Sequence, residues 1–480
     1  MTQAPSPSPA PSPVPEGVGI VHLGVGAFFK AFIALQVEDA IAASGGDWAI
    51  LGVSLRRPDQ RDALQPRGFR YHAVELAPDG KRTREIGALR GVIVAPEDPA
   101  SVLAALCDPR VRLVTLTITE KGYGHSPATG RLDRSHPDIA HDLTKPDAPR
   151  SAVGLVVAAL AARLEKGLRP FTALSCDNLP ANGALLRGLV LEFARERDPA
   201  LAEWIGREAR FPSSMVDRIV PAVTPGDLDV VEALIGERDG GAVLHEPFRQ
   251  WVIEDDFVDG DRPDLAAAGA QMVDDVAPFE LMKLRCLNGT HSALAYLGYL
   301  AGHETITEAV ADPALAGFIE AMWREEIVPS LDAPPGTDLS AYCSALMERY
   351  RNPDIRHRTW QIAMDGSQKL PQRLLGTVRD NLATDRPIHR LALAVAAWMR
   401  YVGGTDERGE PIDVRDPFAE RLRALSDEAA DDTERVAALL GFEEVFEPAL
   451  ARDERFRDAV TTTYGDLVAK GARGAAMAAT

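Results

Sequence analysis

The sequence predicts an α/β domain, a parallel sheet covered by helices on both faces, followed by a mainly α-helical domain. Three observations lead there. From Gly19 onward, short apolar or β-branched runs alternate with segments of helical length. A Gly-Val-Gly turn follows the first of these runs. After Phe279 the alternation stops, and Leu- and Ala-rich segments of helical length fill the chain to its end.

Residues 1–18 form a Pro/Ser-rich stretch that cannot bury enough apolar surface to order, so a disordered tail is expected. GIVHLGVGAFF reads as a strand, a tight turn and a helix running to about Ser44. DWAILGVSL is a second strand after the Gly45-Gly46 break. Residues 100–107 read as a helix and VRLVTLTIT (111–119) as a β-branched strand. An amphipathic helix over 151–167 ends at a glycine. PFTALSC (170–176) is a further strand, and a long helix starts near Asn182. The domain boundary is expected between Asp259 and Phe279, giving domains 19–279 and 280–480. Turns at APPGTD (333–338) and RNPD (351–354) divide the second domain. There is no internal repeat.

A chain of 480 residues can fill two full cores. Its formal charge of −19 argues against a nucleic-acid partner, which needs a basic surface. It does not forbid an anionic substrate, because local cations decide that. Cys107, Cys176, Cys286 and Cys343 form no CxxC pair and no cluster with histidines, so neither a disulfide framework nor a zinc site is expected. A reducing, cytoplasmic setting follows. The first residues lack a basic region followed by an apolar run, so they do not read as a secretory signal. No apolar stretch is long enough to cross a bilayer, and no membrane partner is expected.

Gly24 and Gly26 lie between a strand and a helix, where such glycines let backbone N–H groups approach a pyrophosphate. The third glycine of the usual fingerprint is replaced by Phe29. The second strand runs into Arg56 and Arg57 before it reaches Asp59. An acid there favours NAD and an arginine suits the NADP phosphate, so these residues leave both cofactors open.

The stretch from Glu280 to His291 carries Lys283, Asn288 and His291. On an α-helix these three share a sector of about 140°, at about 100° per residue. Periodicity alone fits a partly exposed helix face equally. Hydride transfer to or from an alcohol without a metal needs a base and donors to the alkoxide. A buried lysine can be the base and asparagine amides the donors. Asn178, just beyond the strand PFTALSC, is a second donor at the strand end where open α/β sheets bind ligands.

Six motifs then point the same way: TEKGY (119–123), SCDNLPANG (175–183), MVDRIVPA (215–222), EPFRQWVIED (246–255), KLRCLNGTH (283–291) and DGSQKLPQR (365–373). With them the chain resembles the polyol-specific long-chain dehydrogenases, which include mannitol 2-dehydrogenase and fructuronate reductase (D-mannonate oxidoreductase). The likeness runs from Gly19 to about Gly474. It implies a Rossmann-type N-terminal domain, a helical C-terminal domain, a substrate cleft between them, and no metal. It implies Lys283 as general base, Asn178 and Asn288 as the oxyanion hole, His291 as a positioning residue and Glu280 as an aid to proton passage. Asp217 and Lys369 are implied substrate contacts. The candidate cofactor-binding set is Gly24, Gly26, Ala27, Phe28, Arg56 and Glu120, with NAD favoured by the resemblance. Relatives commonly read Phe-His-Arg-Ala-His-Gln after the glycine turn, whereas this chain has Phe28-Phe29-Lys30-Ala31-Phe32-Ile33. That departure motivates a reading of another class, a nucleotide-binding regulatory protein with weak catalysis.

Mannitol-type members commonly carry glycine after the Thr-Glu of TEKGY and arginine four residues before the Asp of DGS. Here these are Lys121 and Gln361. The run RHRTWQIAMDGSQKLPQR (356–373) and AWMRY (397–401) resemble the fructuronate reductase branch. A sugar acid brings a carboxylate that needs a cation when desolvated. Lys121, Lys369 and Arg373 are the candidates. The expected activity is therefore interconversion of D-fructuronate and D-mannonate, with a mannitol or other polyol dehydrogenase as the alternative.

Overall fold

The computed structural model describes residues 17–127 and 129–480, so the expected Pro/Ser tail lies, through residue 16, outside the described residues. The chain divides into two compact units between Ala277 and Pro278.

The first unit is built on a five-stranded sheet in the order Leu89–Val94, Ala49–Ser54, Val18–Leu23, Leu113–Leu116, Thr172–Ser175. Every pairing in it is parallel. Val18–Leu23 is buried along nearly its whole length, as a central parallel strand must be, because helices cover both faces. Ile20 faces one apolar core with the helix Ala34–Ser44. Val21 and Leu23 face the other, with the helices Ala152–Glu165 and Asn182–Arg197. The chain steps outward from the first strand in one direction through Ala49–Ser54 and Leu89–Val94. It then returns to the first strand's other side with Leu113–Leu116. That reversal is the switch point at which such sheets bind ligands.

Two smaller sheets were not legible as such. One pairs Tyr71–Ala77 with Gly80–Ile86 as an antiparallel hairpin and adds Val243–His245. The other sets Gln250–Glu254 between Gln271–Val273 and Ser214–Asp217. The strand expected over 111–119 is shorter, Leu113–Leu116. Its ladder ends because the N–H groups of Ile118 and Thr119 donate to the Asp177 carboxylate, at 2.9 and 3.0 Å, instead of to a neighbouring strand.

The second unit is helical, and its described residues carry no strand, only isolated bridges. Thr290–Leu300 and His389–Val402 are almost wholly buried and pack on each other. The C-terminal helix Glu454–Ala478 lies against both. The helix that carries Lys283 is not α throughout. Ala277–Met282 is α, Lys283–Gly289 is π, and Thr290–Leu300 is α again.

A π segment leaves carbonyls without their α partners. Here side chains supply donors. The Trp323 indole N–H donates to Cys286 O at 2.9 Å, and the Tyr350 hydroxyl donates to Leu287 O at 3.1 Å. Thr290 Oγ1 also donates to Cys286 O, at 2.6 Å. The Tyr350 hydroxyl thus adds a donor to Leu287 O, which also accepts from Thr290 N. Tyr350→Phe is expected to lower stability by about 0.5–1.5 kcal/mol in a chemical denaturation experiment, because it removes a buried hydrogen bond.

Candidate active site

In the first unit, His22 and the strand Leu113–Leu116 set up the glycine turn. The register His22↔Thr115, Leu23↔Leu116 brings Gly24 opposite Thr117. A Cβ at Gly24 would lie 2.1 Å from the Thr117 carbonyl oxygen, and its φ is +98°, so only glycine fits. At Gly26 a Cβ would meet only Gly24 O, at 3.9 Å, so that stretch of backbone borders open space. Ala27 and Phe28 then open the helix, both partly buried against the core. Open backbone at a helix start beside a switch point suits a dinucleotide pyrophosphate.

Beneath this turn, His22 is fully buried. Its Nδ1 is 2.8 Å from Thr115 Oγ1 and its Nε2 is 2.9 Å from Thr117 Oγ1. Burial pushes its pKa down to about 3, so it is a neutral structural imidazole. Phe29 stacks on it with ring centroids 3.9 Å apart. Phe29, Phe32 and Ile33, the three residues that depart from the common pattern, are all fully buried in the core. Their loss of polarity is a matter of packing.

Asp177 ties the neighbouring loops together, which the sequence reading missed. Its carboxylate accepts from Ile118 N, Thr119 N and the Tyr123 hydroxyl, the last at 2.8 Å. Burial raises its pKa and these three donors oppose that. Asn182 extends the brace by donating to Asp177 O and Ser214 O at 2.9 and 2.8 Å. The turn Glu120–Tyr123 and the segment carrying Asn178 are therefore fixed to each other. Asn178, Glu120 and Lys121 are exposed on this unit, whereas Asp217 is buried at the end of Ser214–Asp217. Arg56 is 74% exposed and its Nη2 lies 3.3 Å from Asp138 Oδ2. Arg57 pairs with Asp59.

In the second unit, the π register corrects the α-helical arithmetic used for Lys283 and Asn288. A π turn closes at i→i+5, which is the spacing between these two residues, so they fall on successive turns of one side. Lys283 is 8% exposed and His291 6% exposed. Glu280 and Asn288 are half-buried. Arg285 donates to Ser330 O at 3.0 Å and to Asp380.

A further π segment of this unit, Pro371–Leu375, carries Arg373 and packs against Lys283–Gly289. The two π segments touch: a Cβ on Gly289 would lie 2.8 Å from the Arg373 carbonyl oxygen. Arg373 Nη1 donates to Ser292 Oγ at 3.2 Å, a neutral partner one residue beyond His291. The Ser367 N–H and hydroxyl donate to Asp416, at 2.8 and 2.6 Å, and anchor the helix that carries Lys369. Lys369 Nζ donates to Met364 O at 2.5 Å.

The result is a group of like-charged and polarised side chains. Burial, then Arg373, push the Lys369 pKa down to about 8. Burial holds His291 well below its ordinary value, with His357, Arg349 and Arg373 adding to the effect. Lys283, Asn288, His291, Glu280, Lys369 and Arg373 all belong to this unit, and Asn178, Asp217, Lys121, Glu120, Arg56 and the glycine turn to the other. Among the described residues no group of three or more His, Cys, Asp or Glu could hold a metal ion. No described helix is long and apolar enough to cross a membrane.

Residues 18–267 match the mannitol dehydrogenase Rossmann domain and residues 275–468 the mannitol dehydrogenase C-terminal domain. The chain belongs to the mannitol dehydrogenase family. It is 46% identical to the D-mannonate oxidoreductase of Escherichia coli (strain K12), over 95% of this chain and 94% of the relative. Two solved structures are similar. A D-sorbitol dehydrogenase in substrate-free form superposes with a TM-score of 0.89 at 35% identity, covering 96% of this chain and 95% of that one. The mannitol 2-dehydrogenase of Pseudomonas fluorescens, in a ternary complex with NAD and D-mannitol, gives 0.85 at 36% identity, covering 98% and 96%. The protein is thus an oxidoreductase of the mannitol dehydrogenase family, with a Rossmann domain and a helical C-terminal domain.

Two substitutions probe the two units separately. Gly24→Ala forces a Cβ against backbone, so NADH affinity measured by fluorescence titration is expected to fall at least about tenfold. Gly289→Ala pushes the two π segments apart, and overpacking of this kind costs about 1–3 kcal/mol in denaturation.

Proposed function

We propose that this mannitol dehydrogenase family member interconverts D-fructuronate and D-mannonate, with NAD as hydride carrier. The observation that carries the reading is Arg373. Its guanidinium is buried enough to lower its pKa, and its hydrogen-bonding partner is a serine hydroxyl, with no carboxylate in an ion pair among the described residues. Lys369 lies close enough for Arg373 to disfavour its ammonium, an effect that the Asp365 and Asp416 carboxylates oppose in part. Such a pair is costly unless an anion joins it. A sugar acid supplies that anion and a polyol does not. The D-mannonate oxidoreductase relative supports the same substrate class.

The carboxylate is assigned to Arg373 and Lys369 because partly buried cations pair strongly. Lys121, exposed on its turn, is screened by water and is proposed as an outer substrate contact, with Asp217 as a further one. NAD, when bound, donates or accepts the hydride. In the reducing direction the C5 ketone becomes an alkoxide. The Lys283 ammonium supplies its proton and takes one back in oxidation, so no metal ion is required. Asn288 and Asn178 donate amide N–H groups to the developing oxyanion. His291, neutral in this setting, positions the substrate, and Glu280 carries the Lys283 proton toward solvent. Gly24, Gly26, Ala27 and Phe28 hold the pyrophosphate, and Glu120 borders the cofactor. Arg56, which pairs with Asp138, would stand at the adenosine end of the cofactor.

Steady-state rates with NADH on D-fructuronate, D-tagaturonate and D-fructose test this directly. D-Fructuronate is expected to exceed D-fructose in kcat/KM by about a hundredfold, the worth of a strong charge-assisted contact. Preference for D-fructose contradicts the reading. Lys369 also predicts a pH effect: its ammonium is lost as pH rises through about 8. KM for D-mannonate should therefore climb above that pH while KM for D-mannitol stays level.

A further inference from the structure

His357 has no role in the proposal above, yet it stands inside the same group of side chains. It lies in the loop just before the helix Thr359–Ala363. Its ring meets the His291 ring edge-on, with centroids 5.1 Å apart and planes at 86°. His291 packs in turn against Tyr350 at 4.7 Å. Both imidazoles carry a buried nitrogen, Nδ1 of His357 and Nε2 of His291, with no hydrogen bond among the described residues. A buried polar atom in that condition costs stability unless something else satisfies it. Binding sites tolerate that cost because the ligand removes it. The neighbours are cationic: Arg373 and Lys369 both disfavour a charge on His357, and burial brings its pKa down to about 4. The backbone fixes the loop, since Ile306 N donates to His357 O at 3.0 Å and Thr359 N to Glu304 O at 3.0 Å.

We propose that His357 is a specificity-determining residue that donates a hydrogen bond to the anionic end of a sugar-acid substrate, beside Arg373 and Lys369. This rests on the sugar-acid reading and names the third contact of its carboxylate subsite. The groups that act on His357 itself are donors, Arg373 and Lys369, with the neutral His291 imidazole against its ring, while the Asp365 and Asp416 carboxylates reach Lys369. That combination suits an anion and gives a neutral polyol terminus nothing to pair with. His357 touches the substrate's anionic end and not the reacting carbon, so its removal should appear in KM and leave kcat in place.

The test uses the full-length enzyme with His357→Gln and His357→Phe, the second keeping a ring against His291 while removing both nitrogens. Steady-state constants are measured for D-mannonate and D-mannitol with NAD. The inhibition constant of D-gluconate, a sugar acid used as an anion probe, is measured against whichever of the two is turned over better. Thermal denaturation checks that each variant is folded. Expected for His357→Phe is a rise of about tenfold or more in the D-mannonate KM and the D-gluconate inhibition constant, with a smaller rise for His357→Gln, whose amide still donates, and with kcat and the D-mannitol KM within about twofold in both. Equal losses with D-mannonate and D-mannitol overturn the proposal, as does full D-gluconate affinity in His357→Phe. If the wild type prefers D-mannitol, the sugar-acid function fails by itself, and the D-gluconate constants still decide whether His357 serves an anion subsite.

Discussion

The close approach of two π-helical segments, Lys283–Gly289 and Pro371–Leu375, is the constraint on which the second unit depends. The contact is possible only because residue 289 has no side chain, since a Cβ there would meet backbone at 2.8 Å. It sets Arg373 beside Ser292 and within electrostatic reach of His291. It also fixes the irregular turn that aligns Lys283 with Asn288. Trp323 and the Thr290 hydroxyl donate to Cys286 O and Tyr350 donates to Leu287 O, so side chains brace the carbonyls of this turn. Irregular backbone held by dedicated side chains is a reason to look for a site at this turn.

The first unit solves a similar problem with a carboxylate. Asp177 stops a strand early by capturing two N–H groups that the ladder would have used, and the Tyr123 hydroxyl fills its remaining capacity. The turn Glu120–Tyr123 is thereby held against the segment bearing Asn178. Below the glycine turn, the His22–Phe29 stack and the two threonine hydroxyls make a rigid floor. Both units thus use buried polar groups for positioning, and the candidate site residues stand on rigid supports.

Much of this was legible in the sequence. The parallel sheet, its covering helices and the helical second unit follow from hydrophobic period and glycine placement, and the family follows from motifs spread over the whole chain. The π segments were not legible, because hydrophobic periodicity cannot separate an i→i+5 turn from an α turn within seven residues. The smaller sheets were missed because their strands are short and joined by long-range pairings such as Ala73↔Val243. Asp177 sat inside a motif read for its asparagine. His357 lay in the run 356–373 without a spacing signal, since its neighbours Lys369, Arg373 and His291 come from other elements. The replaced residues Phe29, Phe32 and Ile33 looked like a change at the ligand face, and full burial shows them to be core.

The central claim is that the cations assembled by the two π segments meet a substrate carboxylate. A crystal structure of the enzyme with NAD and D-mannonate tests it most directly. The account predicts carboxylate oxygens at about 2.7–2.9 Å from the Arg373 guanidinium, with Lys369 alongside. A carboxylate held by Lys121 or turned to solvent, with Arg373 still on Ser292, would contradict it.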